Sequence, residues 1–176
     1  MQVCGVLYEN EAVRDRYSLV TYSHASAATK AGAHVTHLHP CSACSTLKDL
    51  SVYMGVHNLT APVRSCGLDV LSKDKEMKCL RALGFTEDCV NIWYYNTLNS
   101  RKDCAIPCLV NNHYPYNNPD GSLNPCIQCD EDKSGPIFKQ FRCVSNTVWF
   151  GQISAVVLIR VIESETAQAN ITLPTR

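Results

Sequence analysis

The sequence predicts a helix-rich α+β fold, a single compact domain stapled by disulfides. Three observations carry that prediction. Eleven cysteines, Cys4, Cys41, Cys44, Cys66, Cys79, Cys89, Cys104, Cys108, Cys126, Cys129 and Cys143, run through most of a 176-residue chain. A metal module draws its ligands from short, dense clusters, so cysteines spread this widely point to disulfides and an oxidising compartment. Strand-like residues gather near the N-terminus, while helical periodicity with capping residues fills the centre. A chain of this length buries about 70% of the surface its unfolded form exposes, so a core forms without crosslinks and the disulfides supplement it.

The elements follow in order. Residues 1–17, rich in charge, read as an N-terminal extension, residues 18–162 as the cysteine-rich domain and residues 163–176 as a polar tail. Ser18 to Tyr22 reads as a strand, the alanine-rich stretch Ala25 to Ala33, broken by Gly32, as a short helix, and the alternating His34 to Leu38 as a second strand. Ser45 is placed to cap a helix that runs to Met54 and ends at Gly55. A second helix is expected from Lys75 to Leu83, closed by Gly84. A third starts at Thr86, with Cys89, Ile92, Trp93 and Asn96 on one face. Pro107, Pro115, Pro119, Pro125 and Asp120-Gly121 make residues 107–125 a loop tied at both ends by cysteines. The β-branched run from Val148 to Ile162 argues for a strand. Up to five disulfides leave one thiol over, with Cys4 and Cys143 at the margins as the two that fit that role; spacing alone leaves the connectivity open.

Composition excludes some functions. Sixteen basic and sixteen acidic side chains cancel, which removes the positive field that nucleic acid or an anionic membrane surface requires. The apolar run Ile153 to Ile162 contains Arg160 and is too short to span a bilayer, so no transmembrane segment is expected. An oxidising compartment calls for a leader, yet Met1 to Tyr17 carries Glu9, Glu11, Arg14, Asp15 and Arg16, which no signal core tolerates. The expectation is therefore a mature or partial form of an extracellular or lumenal glycoprotein, with sequons at Asn58 and Asn170.

Several motifs carry chemistry. Cys41-Ser42-Ala43-Cys44 precedes a predicted helix, where the helix N-terminus would stabilise a thiolate, so a thiol–disulfide oxidoreductase is one alternative. Structural disulfides account for the same residues more economically, because Cys126-Ile127-Gln128-Cys129 repeats the spacing and nine other cysteines offer partners. His34, His37 and His39 lie just before Cys41 and could hold zinc or copper; the plainer reading is surface histidines beside a disulfide. Asp130, Asp132 and Ser134, with Gly135, match the first half of a calcium loop, but Phe141 stands where the closing Glu belongs, leaving weak calcium at most. Cys104 and Cys108 stand four apart, yet Pro107 breaks the helix that would align them, so they reach different partners. Trp93, Tyr94 and Tyr95 read as core and interface surface. No nucleophile elbow, phosphate-binding glycine loop or His-Glu-x-x-His is present, so no catalytic residue is assigned.

Thr36-His37, Cys41 to Ser45, Asp49 to Met54 and Asn124 to Lys139 together resemble a cysteine-rich secreted family of algae and related protists that carries no assigned activity. The resemblance covers roughly residues 18–141 and includes Cys66, Cys79, Cys89, Cys104 and Cys108. It implies a compartment and a fold rather than a chemistry. The resemblance implies a basic Gly-Arg-Thr-Arg-Arg-like segment after Lys139, whereas this chain runs Phe141-Arg142-Cys143-Val144. The expected function is a non-enzymatic structural or interaction protein of an extracellular or lumenal assembly. Its expected partners are other protein subunits, with an intermolecular disulfide through the odd cysteine. The alternatives are a metal-binding protein or metalloenzyme at His34, His37 and His39, and an oxidoreductase at Cys41 and Cys44.

Overall fold

The structure, a computed structural model, describes residues 1–55, 59–68, 72–111 and 113–141. It is a helix-rich α+β protein stapled by disulfides, and it divides into two compact units whose described parts are residues 1–55 in one and 59–68, 72–111 and 113–141 in the other.

The first unit is built on a three-stranded sheet. Strands β1 (Val3–Tyr8), β2 (Tyr17–Tyr22) and β3 (His34–Leu38) are joined in the order β2-β1-β3, and both neighbours of β1 are antiparallel to it. Helix α1 (Ala25–Lys30) connects β2 to β3, and α2 (Leu47–Gly55) follows. The central strand is apolar along its whole length because both its faces are covered. Val3 packs with Ala28 and Ala33 on one face, and Val6 and Tyr8 pack with Leu47 on the other. Gly5 lies where a Cβ would stand 3.0 Å from the Tyr22 ring and 3.3 Å from Ala33 Cβ, so only glycine fits without displacing them.

Residues 1–17 are therefore not an extension, because they contain the strand on which the sheet is built. The charges that disguised it, from Glu9 to Arg16, belong to the β1–β2 turn, closed by the Glu9 N–H to the Arg16 carbonyl at 3.0 Å. The predicted strand, helix and strand over 18–38 are present. Helix α2 starts one residue later than expected: the Thr46 hydroxyl, not Ser45, accepts from the Asp49 N–H at 3.1 Å.

The second unit is helical throughout its described elements: α3 (Thr60–Gly67), α4 (Lys73–Ala82), α5 (Glu87–Val110), α6 (Pro125–Lys133) and α7 (Gly135–Phe141). Helix α4 is capped by Ser72, whose side chain accepts from the Lys75 N–H, and is followed by Gly84 at φ +105°. Phe85, Trp93 and Phe138 form its aromatic centre, with Trp93 at 6.0 Å from Phe85 and 4.6 Å from Phe138 between ring centroids.

Pro107 does not end the helix as expected. Cys104 leaves helical geometry at φ −122°, ψ 16°, kinking α5, and Pro107 then falls in the first turn of the renewed helix, where its missing N–H would have no partner in any case. The loop thus begins at Asn111. It is closed by an antiparallel bridge between Asn117 and Leu123 and by the Asn124 N–H to the Tyr116 carbonyl at 2.9 Å. The expected strand Val148 to Ile162, the tail, Cys143, Asn58 and Asn170 lie outside the described residues.

Candidate functional site

All ten cysteines among the described residues are disulfide-bonded. Cys41 pairs with Cys4 and not with Cys44, so the Cys-x-x-Cys motif forms no internal redox disulfide. Strand pairing decides this: Cys4 sits opposite His37 on β3, which carries the chain on to Cys41 beside it. The second unit holds Cys66–Cys79, Cys104–Cys129 and Cys108–Cys126. Cys44 and Cys89 are likewise bonded, and Cys4, one of the two cysteines considered for the odd position, has an in-chain partner.

The three histidines do not converge. His34 bonds through Nε2 to Glu11 in the β1–β2 turn, and that bond, ahead of the neighbouring Arg14, holds the Glu11 carboxyl below its ordinary value. His39 lies past the end of β3 at φ +76°. His37 is buried; its Nδ1–H donates to the Leu38 carbonyl at 2.8 Å, which leaves Nε2 to accept from the Ser45 hydroxyl at 3.0 Å. The bulge in the β1–β3 pairing falls between Val35 and His37 and breaks the alternation between His34 and His37, while β3 ends at Leu38, so strand alternation does not carry on to His39. Burial pushes the His37 imidazole below its ordinary pKa, opposed by the Leu38 carbonyl.

Serine, imidazole and carbonyl here have the connectivity of a nucleophile, its base and an orienting acceptor, a pairing that sequence reading missed because the two residues are eight apart. The Ser45 side chain is fully buried, however, and its oxygen already accepts from the Ser42 N–H at 2.6 Å. The pair therefore acts as a polar lock that satisfies buried groups of His37, Leu38, Ser42 and Ser45.

The acidic run is helical. Asn124 caps α6 by accepting from the Ile127 N–H, Pro125 occupies its first turn, and the helix carries through Asp130 and Asp132. Asp130 accepts from the Ser100 hydroxyl, Asp132 from Gln128 Nε2 at 2.8 Å, and Ser134 from Asn99 Nδ2 at 3.0 Å. A helix turns these oxygens to different sides, so the calcium-loop reading falls. Among the described residues no three or more His, Cys, Asp or Glu side chains are placed to hold a metal ion.

The feature with the strongest functional geometry is the α5–α6 pair. Cys104 and Cys108, one turn apart, bond Cys129 and Cys126, also one turn apart, so two crosslinks fix the helices against each other. A buried ion pair anchors the same helix: Arg101 Nη1 lies 2.7 Å from Glu76 Oε2, while Thr97 donates to the other carboxylate oxygen. The outward side of α5 is also apolar. Tyr95, Leu98, Ile106, Leu109 and Val110 are exposed, with Ile106 at 77% and Leu109 at 74%. At about 100° per residue, Ile106 stands opposite Cys108 and Leu109 stands to one side of it. The helix thus carries apolar residues on a covered side and on an exposed one.

A model of a family of unknown function (DUF8771) matches residues 73–151, beginning at the first residue of α4 and taking in α5, α6 and α7. No curated protein and no solved structure matches the chain.

Proposed function

We propose that this protein is a non-enzymatic structural or interaction component of an extracellular or lumenal assembly, presenting the outer side of α5 to a protein partner. The observation that carries the reading is a helix crosslinked twice to its neighbour yet apolar on its exposed side. Rigid, pre-organised apolar surface loses little entropy on binding, which is what an assembly contact needs. Ten disulfide-bonded cysteines are the chemistry of an oxidising compartment. Among the described residues no helix is long and apolar enough to cross a membrane. The resemblance to secreted cysteine-rich proteins of algae and protists supports the same compartment, with glycan at Asn58 and Asn170. Cys143, the eleventh cysteine, supplies the intermolecular bond.

The test is intact mass of the natively isolated protein before and after reduction, with mapping of the bonded peptides. Ten cysteines closed within the chain, and Cys143 joined to a second polypeptide, are the expected result. A protein whose cysteines are mostly free thiols overturns the reading.

A further inference from the structure

We infer that Cys104, Cys108, Cys126 and Cys129 form a thiol–disulfide exchange centre, at which one dithiol reductant replaces both crosslinks between α5 and α6 by a single bond within α6. The inference is independent of the outer side of α5 and rests on the placement of the four cysteines. The existing bonds join Cys104 to Cys129 and Cys108 to Cys126 across Cα separations of 5.8 Å and 4.3 Å. Cys126 and Cys129 lie three residues apart within α6, a separation that helical geometry sets at about 5 Å. That falls inside the span of roughly 4.4–6.8 Å that a disulfide bridges. Cys129 therefore has two partners in reach, Cys104 across the helix pair and Cys126 along its own helix. Cys41 and Cys44 share the sequence spacing but precede α2, so no helical turn sets them on one side.

Exposure fixes the order of events. Cys104 and Cys126 are buried, whereas Cys108 and Cys129 are half-buried, so an incoming thiolate reaches one of the latter two. Attack on Cys129 would expel the Cys104 thiolate from the interior of α5. Attack on Cys108 expels the Cys126 thiolate in the first turn of α6, where the helix N-terminus carries partial positive charge and no acidic side chain stands. A thiol made more acidic in this way leaves faster. Arg64 also donates to the Cys108 carbonyl at 3.3 Å, which sets a guanidinium charge beside the residue that the thiolate approaches.

The electrons balance. One sulfur of the dithiol bonds Cys108, and the Cys108–Cys126 bond breaks. The Cys126 thiolate attacks Cys129, forming Cys126–Cys129 and releasing Cys104. The second sulfur of the reductant then displaces Cys108, and the reductant leaves as a disulfide. Two electrons and two protons have passed to the protein, which holds thiols at Cys104 and Cys108. A disulfide oxidant reverses the sequence. Helices α5 and α6 are thus crosslinked twice in the oxidised form and not at all in the reduced one.

The test uses the full wild-type chain with any free thiol blocked first, so it depends on no variant that must fold. The protein is exposed to glutathione, quenched in acid, alkylated and mapped by peptide mass. The expected product carries glutathione on Cys108, an alkylated thiol at Cys104 and a Cys126–Cys129 bond. Limiting dithiothreitol should give a species alkylated at Cys104 and Cys108 alone, formed on the order of 10-fold faster than Cys4–Cys41 or Cys66–Cys79 opens. Alkylation at Cys108 and Cys126 overturns the inference, because Cys104–Cys129 has then stayed closed. Glutathione on Cys129, first opening at any other described cysteine, loss of all the bonds in one step, or resistance of these four cysteines to both reagents overturns it as well.

Discussion

In the sheet-bearing unit, β1 is hydrogen-bonded along both edges and covered on both faces, and one described disulfide, Cys4–Cys41, closes a separation of 37 residues. In the helical unit, the described disulfides close separations of 13, 25 and 18 residues, and a buried carboxylate is held by an arginine. The sheet obtains order from a ladder between segments distant in sequence. The helices satisfy their own backbones, so what remains to be specified is how they lie against each other, and crosslinks between neighbouring turns supply that. The contrast indicates why cysteines crowd the helical half.

The contrast can be broken in several places. The largest effect is expected at Glu76, whose replacement by alanine leaves Arg101 facing a site with no counter-charge and Thr97 with the Tyr94 carbonyl as its remaining acceptor. Glu76→Ala should cost about 3–5 kcal/mol, read as the shift in a denaturant midpoint, and a loss below about 1 kcal/mol would remove the ion pair from the account.

Disulfides should rank by the loop that each alone closes. Replacing Cys4 and Cys41 together by alanine is expected to cost about 4 kcal/mol on the chain-entropy account. Replacing Cys108 and Cys126 should cost only about 2–3 kcal/mol, because Cys104–Cys129 still encloses that segment. Equal losses would mean that nesting is immaterial and that native-state packing sets both values.

Gly5→Ala tests whether the sheet is as tightly fitted as its contacts imply. The added methyl meets the Tyr22 ring, and a loss of about 1–3 kcal/mol is expected. A neutral outcome would show that Tyr22 moves aside.

The smallest and most specific effect concerns pH. His37 is held below its ordinary pKa in the folded protein, chiefly by burial, so the unfolded chain binds its proton first. Stability attributable to His37 is complete above about pH 6.5, declines as the pH falls below that value and stops declining once the folded-state pKa is passed. Comparing wild type with His37→Asn at pH 7.5 and 5.5 should show a larger acid loss in the wild type. Identical pH dependence would place the imidazole in contact with water.

Local signals were legible where the chemistry is local. Gly84 after α4, Thr86 before α5, and the strand–helix–strand order of 18–38 all follow from capping and periodicity within a few residues. Three readings failed where a neighbour in space decides. The apolar run Val3–Tyr8 looked like part of a charged extension because its two partner strands begin at residues 17 and 34. Pro107 looked like a stop because the kink that resets the helix is at Cys104. Asp130 and Asp132 looked like a calcium loop because the cap that makes them helical is Asn124.

The sequence alone determined an α+β chain rich in helix, a neutral surface and cysteines in numbers that belong to an oxidising compartment. Tertiary structure alone decided which sulfurs meet, that His37 and Ser45 form a sealed pair, and that α5 turns a second apolar side outward. The reason is physical: caps, helical period and net charge depend on neighbours along the chain, whereas a disulfide, a buried hydrogen bond and an exposed face depend on residues that only folding brings together.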